Sequence, residues 1–362
     1  MPEVVYNAMV LREPYSGVEV TVHELLRALA SHGTHPIRAY VSPQCRALPE
    51  SPRLRVRTSR MGSSRLLRIL WEQTCLPVIL RRTRAPLLHA PAYVAPLAAP
   101  CPTVLTVHDL HVLTHPHFCT PANRLHYAAL MPRSIRRAAA VIVFSDYTRR
   151  NVIRHFPDAA PRIAVIPPGL SPAFRRCTDD ARLRAVKARY ALPDDFLLFV
   201  GDLSARKNPD GLLAAFGRIR ERHPGIRLVL AGAGGRATPR ADGVHHTGYV
   251  AQDDLPALYS LAQVFLFPSH DEGFGIPPLE AMACGCPVVC SGGAPSENCG
   301  DAALTCDPGA PLTIAEAVLA LIGNPSLRHA QVTAGYAKAA TFTWERATRE
   351  TEAVYRRTAA PF

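Results

Sequence analysis

Short apolar, β-rich runs alternate with amphipathic stretches along most of this chain. Glu3–Leu11 (EVVYNAMVL) predicts an opening strand. From Val18 the period changes, placing Val22, Leu25, Leu26 and Leu29 on one helical face until Gly33 stops it. Further strands are predicted at Ile37–Val41, Leu54–Thr58, Leu87–Pro91, Thr103–Val107, Ala140–Phe144 and Ile163–Ile166. Helices are predicted over Ser64–Leu80, which contains Trp71, and over Tyr147–Phe156, with Ser145 placed to cap the latter. A polar, charged segment, 170–194, marks a boundary, and the pattern then restarts. Strands are expected at Phe196–Val200, Ile226–Ala231, Val244–Val250, Val264–Phe267 and Pro287–Cys290, with helices at Gly211–Arg220 and Asp253–Ala262. An amphipathic helix, Trp344–Arg357, closes the chain. Alternation of this kind predicts an α/β protein of two doubly wound parallel sheets, with ligand loops at the carboxyl ends of strands. Two such domains would face each other across a cleft.

Length agrees with two domains, since 362 residues are long for one core. The net charge of +12 rests on Arg-rich pieces such as Arg53–Arg57 and Arg81–Arg84. Such a surplus favours polyanions, among them diphosphates, anionic lipid head groups and nucleic acid, although most of it is expected on solvated surface. The ten cysteines form no regular framework, so reduced thiols are expected, as in the cytoplasm. No run of eighteen apolar residues and no basic-then-apolar leader is present, so neither a membrane span nor a secretory signal is expected.

The most informative stretch is Phe267–Asp307, FPSHDEGFGIPPLEAMACGCPVVCSGGAPSENCGDAALTCD. Glu272 is followed by Gly273, Phe274, Gly275 and Ile276. Pro277 and Pro278 suit a first helical turn, where a missing N–H costs nothing, and Gly285 suits the helix end. A glycine loop feeding a helix N-terminus presents backbone N–H groups and a positive dipole end to an anion. Glu272 and Glu280 flank that tip as acceptors for hydroxyl groups. An anion and a polyol side by side describe a nucleotide sugar. Upstream, Gly201 follows a strand, and Arg206 and Lys207 precede Asn208-Pro209 and a helix. They read either as a diphosphate clamp, each charge-assisted bond contributing about 1.5–3 kcal/mol, or as a solvated basic turn. Gly232 opens Gly232-Ala233-Gly234-Gly235, which is not a dinucleotide fingerprint; it suits the approach of a base to the backbone.

Other chemistry is thinner. Gly17 lies in a strand–loop–helix unit, which is either a phosphate-facing turn or a plain βα turn. His108, His111, His115 and His117 follow a buried strand. Pro116 argues against one helical face, no ligand set is completed, and His108 alone is assigned a donor-site role. Cys284, Cys286 and Cys290 read as core residues in a helix end and a buried strand rather than as zinc ligands.

The C-terminal half, from VGDLSARKNPDGLLAAF through LVLAGAGG, GYV and FPSHDEGFGIPPLEAMACGCPVV to FTWERATRETEAVYRR, resembles the retaining GT-B glycosyltransferases of family 4 (group 1). WEQTCLP, LLHAP, VHDL and VIVFSDYTRR resemble its mannosyltransferase-like subgroup. The Glu-x7-Glu signature falls on Glu272 and Glu280. The resemblance implies an N-terminal Rossmann-like acceptor domain over 1–170, with the helix 345–362 packing back on it, and a donor domain over 171–344. It implies that Arg206 and Lys207 hold the donor diphosphate, that Glu272 and His108 lie by the transferred sugar, and that Glu280 binds the ribose. Gly17, Gly201, Gly232, Tyr249, Val250, Gly273, Phe274, Gly275 and Ile276 would complete the donor site. The family pattern departs at Ser16-Gly17, at His270-Asp271 and at Pro295-Ser296-Glu297. No Asp-x-Asp pair occurs, in keeping with a metal-independent site. The implied activity is retaining transfer of a hexose, mannose first, from a nucleotide sugar such as GDP-mannose to a glycan or lipid-linked acceptor. No further cofactor, no metal and no nucleic acid are expected. A cytoplasmic location is expected, with peripheral contact at the inner membrane surface left open. Two alternatives stand beside it: a nucleotide-sugar epimerase of the same fold, and a non-catalytic glycosyltransferase-like subunit.

Overall fold

A computed structural model describes residues 1–13, 15–232 and 241–359 of the chain. The chain divides into two compact units, Met1–Gly169 with Thr343–Phe362, and Leu170–Phe342.

The first unit holds β1 (Val4–Ala8), β2 (Ile37–Val41), β3 (Leu54–Thr58), β4 (Leu87–Ala90), β5 (Thr103–Val107), β6 (Ala140–Val143) and β7 (Ile163–Val165). They form one parallel sheet in the order β3-β2-β1-β4-β5-β6-β7. Val5 and Leu88 pack with Trp71, Leu76 and Leu80, and Leu105, Val107, Val141 and Val143 pack with Met131, Ile135 and Val152. The helix Gly17–His32 is tied to β1 by the Tyr6 hydroxyl, which donates to the Val22 carbonyl at 3.2 Å.

The terminal helix Trp344–Thr358 belongs to this unit. Its buried stripe of Ala347, Thr351, Val354 and Tyr355 follows from amphipathic spacing. Polar contacts fix its position. Glu352 accepts from the Thr34 amide, from the His35 amide at 2.8 Å and from the His35 ring at 2.9 Å, while the Tyr355 hydroxyl lies 2.6 Å from His89 Nδ1.

The second unit repeats the plan with β8 (Phe196–Val200), β9 (Arg227–Ala231), β10 (Val244–Gly248), β11 (Val264–Phe267), β12 (Val288–Ser291) and β13 (Leu304–Cys306). All are parallel, in the order β10-β9-β8-β11-β12-β13. Leu197, Phe199, Leu228, Leu230, Val264 and Leu266 meet Leu212, Phe216, Ile314 and Val318 from the helices Pro209–Arg222 and Pro311–Gly323. The alternate residues are buried too: Phe265, for example, stacks edge-on against Tyr259 at 5.3 Å. Burial on both faces is why these strands are continuously apolar.

Several expected boundaries change. The helix predicted over Ser64–Leu80 is three pieces: Arg65–Leu70, a π-helical turn Trp71–Cys75, and Leu76–Arg82. Pro77 has no N–H to donate backwards, and its ring needs room; a widened turn provides both. The segment 170–194 is not wholly irregular, because Asp179 accepts from the Ala181 and Arg182 amides and starts the helix Asp180–Arg189. A helix at Pro121–Arg137 escaped the sequence pattern. Only Met131, Ser134 and Ile135 on it are buried, so its apolar face is too narrow to read. His111–Thr114 is a short helix despite the following Pro116, since the turn ends before the proline.

Candidate active site

In a doubly wound sheet the ligand crevice opens where neighbouring strands send their connections in opposite directions. In the second unit that point lies between β8 and β11, so the loops after Val200 and Phe267 must lie side by side. The first carries Gly201, Arg206 and Lys207, and the second carries Glu272 to Gly275. The His270 amide donates to the Arg206 carbonyl at 2.8 Å, which joins the two loops directly.

Asn208 locks the first loop. At φ 59° it adopts the left-handed conformation that asparagine tolerates, and its side-chain oxygen accepts from the Gly211 amide at 3.1 Å, capping the helix Pro209–Arg222. Its Nδ2 donates to the carbonyls of Pro268 at 3.1 Å and Pro308 at 2.7 Å. With that side chain fixed, the two preceding cations point at the second loop. Arg206 Nη1 donates to Glu272 Oε1 at 2.5 Å and to the Asp271 carbonyl at 2.9 Å. Lys207 Nζ donates to the same Glu272 oxygen at 2.7 Å. Lys207 Nζ also sits 4.4 Å from the centre of the Phe267 ring, a cation–π contact. The side chains of Arg206, Lys207 and Glu272 are 21%, 10% and 13% exposed, so all three are largely shielded from water.

After Glu272 the chain turns through Gly275, at φ 89°, into the helix Ile276–Ala283. A Cβ at Gly275 would lie 3.2 Å from the Pro295 ring, in a backbone conformation that other residues adopt at a cost. No side chain caps this helix and no acidic residue stands in its first turn. Asn298 Nδ2 donates to the Phe274 carbonyl at 2.7 Å and holds the loop from behind. Glu280, beyond the first turn, accepts from the Tyr259 hydroxyl at 2.9 Å. Although part of its surface is accessible, the protein packed around it pushes its carboxyl up to about 7, against the opposite pull of the Tyr259 hydroxyl.

The remaining candidates in this unit flank the cluster. Gly201 follows β8, and a Cβ there would come within 3.8 Å of Lys207 Cε. Gly232 follows β9 at φ 147°, where a Cβ would meet the Gly201 carbonyl at 2.0 Å. The fold itself therefore demands glycine at 232, whatever base approaches it. Ala233, Gly234 and Gly235 lie outside the described residues. After β10, Tyr249 is 65% exposed and Val250 is buried.

In the first unit, His108 follows β5 and is buried between Tyr93 and Phe144, with ring centroids at 5.0 and 4.7 Å. Burial holds its imidazole below the ordinary histidine range, so it is neutral at pH 7. Its Nε2 lies 2.8 Å from the Pro91 carbonyl, which can only accept; that fixes the proton on Nε2. Gly17 is the first residue of its helix, and a Cβ there would meet nothing within 4 Å. Ser16 and Glu19 form a capping box at the same tip. Among the described residues no group of three or more His, Cys, Asp or Glu is placed to hold a metal ion. Cys284, Cys286 and Cys290 are buried, and burial pushes the Cys286 thiol up to about 12.

Sequence pattern alone missed Tyr259 and Asn298 as partners of the site, and Asn208 as the lock of its first loop. The Asn208-Pro209 pair was a usable signal, as a cap before a first-turn proline. Nothing local marked Tyr259, which reaches Glu280 across 21 positions.

Two Rossmann-like parallel sheets in one chain, with cations and carboxylates gathered at the second switch point, are the plan of the GT-B fold. The sucrose-phosphate synthase of Thermosynechococcus elongatus shares the fold with a TM-score of 0.77 at 20% identity, over 99% of both chains. Residues 15–174 match the model described as Glycosyltransferase Family 4, and residues 185–338 match Glycosyl transferases group 1. O-antigen chain mannosyltransferase B of Escherichia coli is 34% identical over 271 residues, 70% of each chain. The GDP-mannose-dependent alpha-(1-6)-phosphatidylinositol monomannoside mannosyltransferase of Mycobacterium tuberculosis is 35% identical over 224 residues, 56% of this chain and 57% of that one. The chain belongs to the family-4, group-1 glycosyltransferases and is mannosyltransferase-like. No described helix is long and apolar enough to cross a membrane.

Proposed function

We propose that this glycosyltransferase moves mannose from GDP-mannose to a glycan or lipid-linked sugar, with retention of anomeric configuration and without a metal ion. One observation carries the reading: a single oxygen of Glu272 receives both Arg206 and Lys207, at 2.5 and 2.7 Å, beside a helix tip with no acidic cap. Two cations that converge on one oxygen can converge equally on one phosphate oxygen, and their charge offsets what a divalent ion would otherwise neutralise. The mannose donor is chosen because mannosyl transfer is named for both relatives described above.

In this reading the Leu170–Phe342 unit holds the donor and the N-terminal unit holds the acceptor. Glu280 accepts from the ribose hydroxyls. Glu272 exchanges its cations for the diphosphate and turns to the hydroxyls of the sugar. Neutral His108, its Nε2 committed to Pro91, offers Nδ1 as an acceptor for a sugar hydroxyl. Gly17, Gly201, Gly232, Tyr249 and Val250 line the nucleotide, and the amides of Gly273, Phe274, Gly275 and Ile276 face the anion.

Transfer then proceeds on one face of the sugar. The bond from the anomeric carbon to the donor phosphate breaks as the acceptor oxygen bonds to the same carbon, and the departing phosphate oxygen takes the acceptor proton. Arg206, Lys207 and the helix dipole stabilise the charge that develops on the leaving diphosphate.

A thermal-shift screen against GDP-, UDP-, ADP- and dTDP-sugars tests the donor, because a ligand that binds only the native state raises the melting temperature. GDP-mannose is expected to give the largest shift, lost in Arg206→Ala and Lys207→Ala. A larger shift with another nucleotide would replace the donor, and no shift with any would favour a chain without chemistry. Retention is read from the anomeric configuration of the product by NMR.

A further inference from the structure

The N-terminal unit contains a cavity of about 280 Å³ that none of the donor chemistry uses. That lies just under the roughly 300–1,000 Å³ of sites for whole small molecules, and suits a charged group with part of a ring. Three guanidinium groups line it: Arg12, just past β1, and Arg65 and Arg68 on the helix Arg65–Leu70.

Arg12 is incompletely satisfied: its Nε is sealed from solvent and has no hydrogen-bond partner among the described residues. Arg68 is 7% exposed and is held beside the cavity by Glu72, 3.3 Å from its Nη1, and by the Tyr127 hydroxyl. Arg65 is braced by the side chain of Asn123 and the Ala122 carbonyl, which hold it at the cavity rather than in solvent. A buried guanidinium nitrogen without a partner costs free energy unless something arrives to bond it.

Two carboxylates also line the cavity, but each is engaged. Glu13 accepts from Arg46 Nε at 2.6 Å, and Glu19 accepts from the Ser16 amide at 3.0 Å within the helix cap. Burial, and after it the charges of Arg68 and Arg65, push the nearby His126 imidazole down to about 4.

We infer that this cavity binds a phosphate-class anion carried by the acceptor, held by Arg12, Arg65 and Arg68. The assignment to the acceptor rests on the transferase reading; binding of the anion does not. Tyr127 and the two carboxylates can take hydroxyl groups beside the charge, so a phosphorylated sugar or polyol suits the lining. The anion has two possible sources, a phosphate on the acceptor and the head group of an anionic lipid. Leu66, Leu67 and Leu70, exposed on the same helix as Arg65, keep the second source in play.

The test uses the full chain carrying Arg206→Ala and Lys207→Ala, so that the donor site no longer takes pyrophosphate. Calorimetric titration of that chain with inorganic pyrophosphate is expected to show one site. Arg12→Gln or Arg65→Gln is expected to weaken it about tenfold or more, with an unchanged circular-dichroism spectrum. Sedimentation with phosphatidylglycerol vesicles, against phosphatidylcholine alone, forms the second arm. Arginine-dependent pyrophosphate binding supports a phosphate on the acceptor, and arginine-dependent vesicle binding without it supports a head group. Silence in both arms, or binding indifferent to Arg12→Gln and Arg65→Gln, overturns the site. Should the doubly substituted chain keep the full nucleotide-sugar response, the transferase reading fails instead, and the pyrophosphate result stands apart from it.

Discussion

Each unit has a helix that starts after a loop at its switch point, and the two tips are finished in opposite ways. Gly17–His32 begins with Ser16 and Glu19 in a capping box, so a carboxylate of the chain already meets the positive end. Ile276–Ala283 begins at Gly275 with no capping side chain and no acid in its first turn, and the adjoining loop brings two cations instead. The same strand–loop–helix plan thus yields a tip closed by the chain's own carboxylate in one unit and a tip without one, the proposed anion site, in the other. Position in the fold is not enough to make a site; the residues at the first turn decide.

Substitutions break this contrast most sharply at the second tip. Arg206→Ala is expected to lower kcat/KM for mannosyl transfer about 10²–10³-fold, the loss typical of removing one preorganised donor to a developing negative charge. Glu272→Ala should act chiefly on kcat and Glu280→Ala chiefly on donor affinity. Glu19→Gln at the first tip should leave the affinity for the nucleotide sugar within about threefold while lowering stability by about 1 kcal/mol. Comparable losses of nucleotide-sugar affinity at both tips would erase the distinction.

Gly232→Ala comes next. A Cβ 2.0 Å from the Gly201 carbonyl, at φ 147°, is expected to cost about 3 kcal/mol or more in urea unfolding, whether or not nucleotide is present. A near-neutral result would return this glycine to a purely ligand-facing role.

Glu280 gives a smaller effect with a defined sign. Its carboxyl is raised from 4.5 to about 7, so the folded chain keeps a proton that the unfolded chain releases. Stability contributed by this group is present below about 4.5 and is lost as pH rises through 7. At pH 8, Glu280→Gln should be more stable than the parent chain by about 1–3 kcal/mol, and the advantage should vanish near pH 4. Melting temperatures across that range measure it, and a constant difference would refute the raised pKa.

Gly17→Ala is the mildest. Open space around the position predicts a change in stability within about 0.5 kcal/mol, so any fall in kcat/KM would report a ligand approaching the first tip. No fall would leave Gly17 as a plain turn.

Much of the molecule was legible in advance. Continuous apolar runs such as Phe196–Val200 and Val264–Phe267 are strands because both faces are covered, and their limits followed from local punctuation. Pro277 and Pro278 marked the first turn of their helix as expected. The helix at Pro121–Arg137 was not legible, because only three of its residues are buried and Pro132, a residue that argues against a helix interior, lies within it. Nor was the π-helical turn at Trp71–Cys75, since apolar spacing does not register one extra residue per turn.

The sequence by itself determined most of the strands, several of the helices, and which residues could carry charge to an anion, because periodicity, caps and residue chemistry are local properties. Only the tertiary structure decided that Arg206 meets Glu272 across 66 positions, that Tyr259 bonds Glu280, and that Arg12 joins Arg65 and Arg68 around one cavity. Those meetings depend on strand order and on how the crossovers close. Strand order is set by the sum of many packing contacts distributed over a whole unit, and no single stretch of chain contains it.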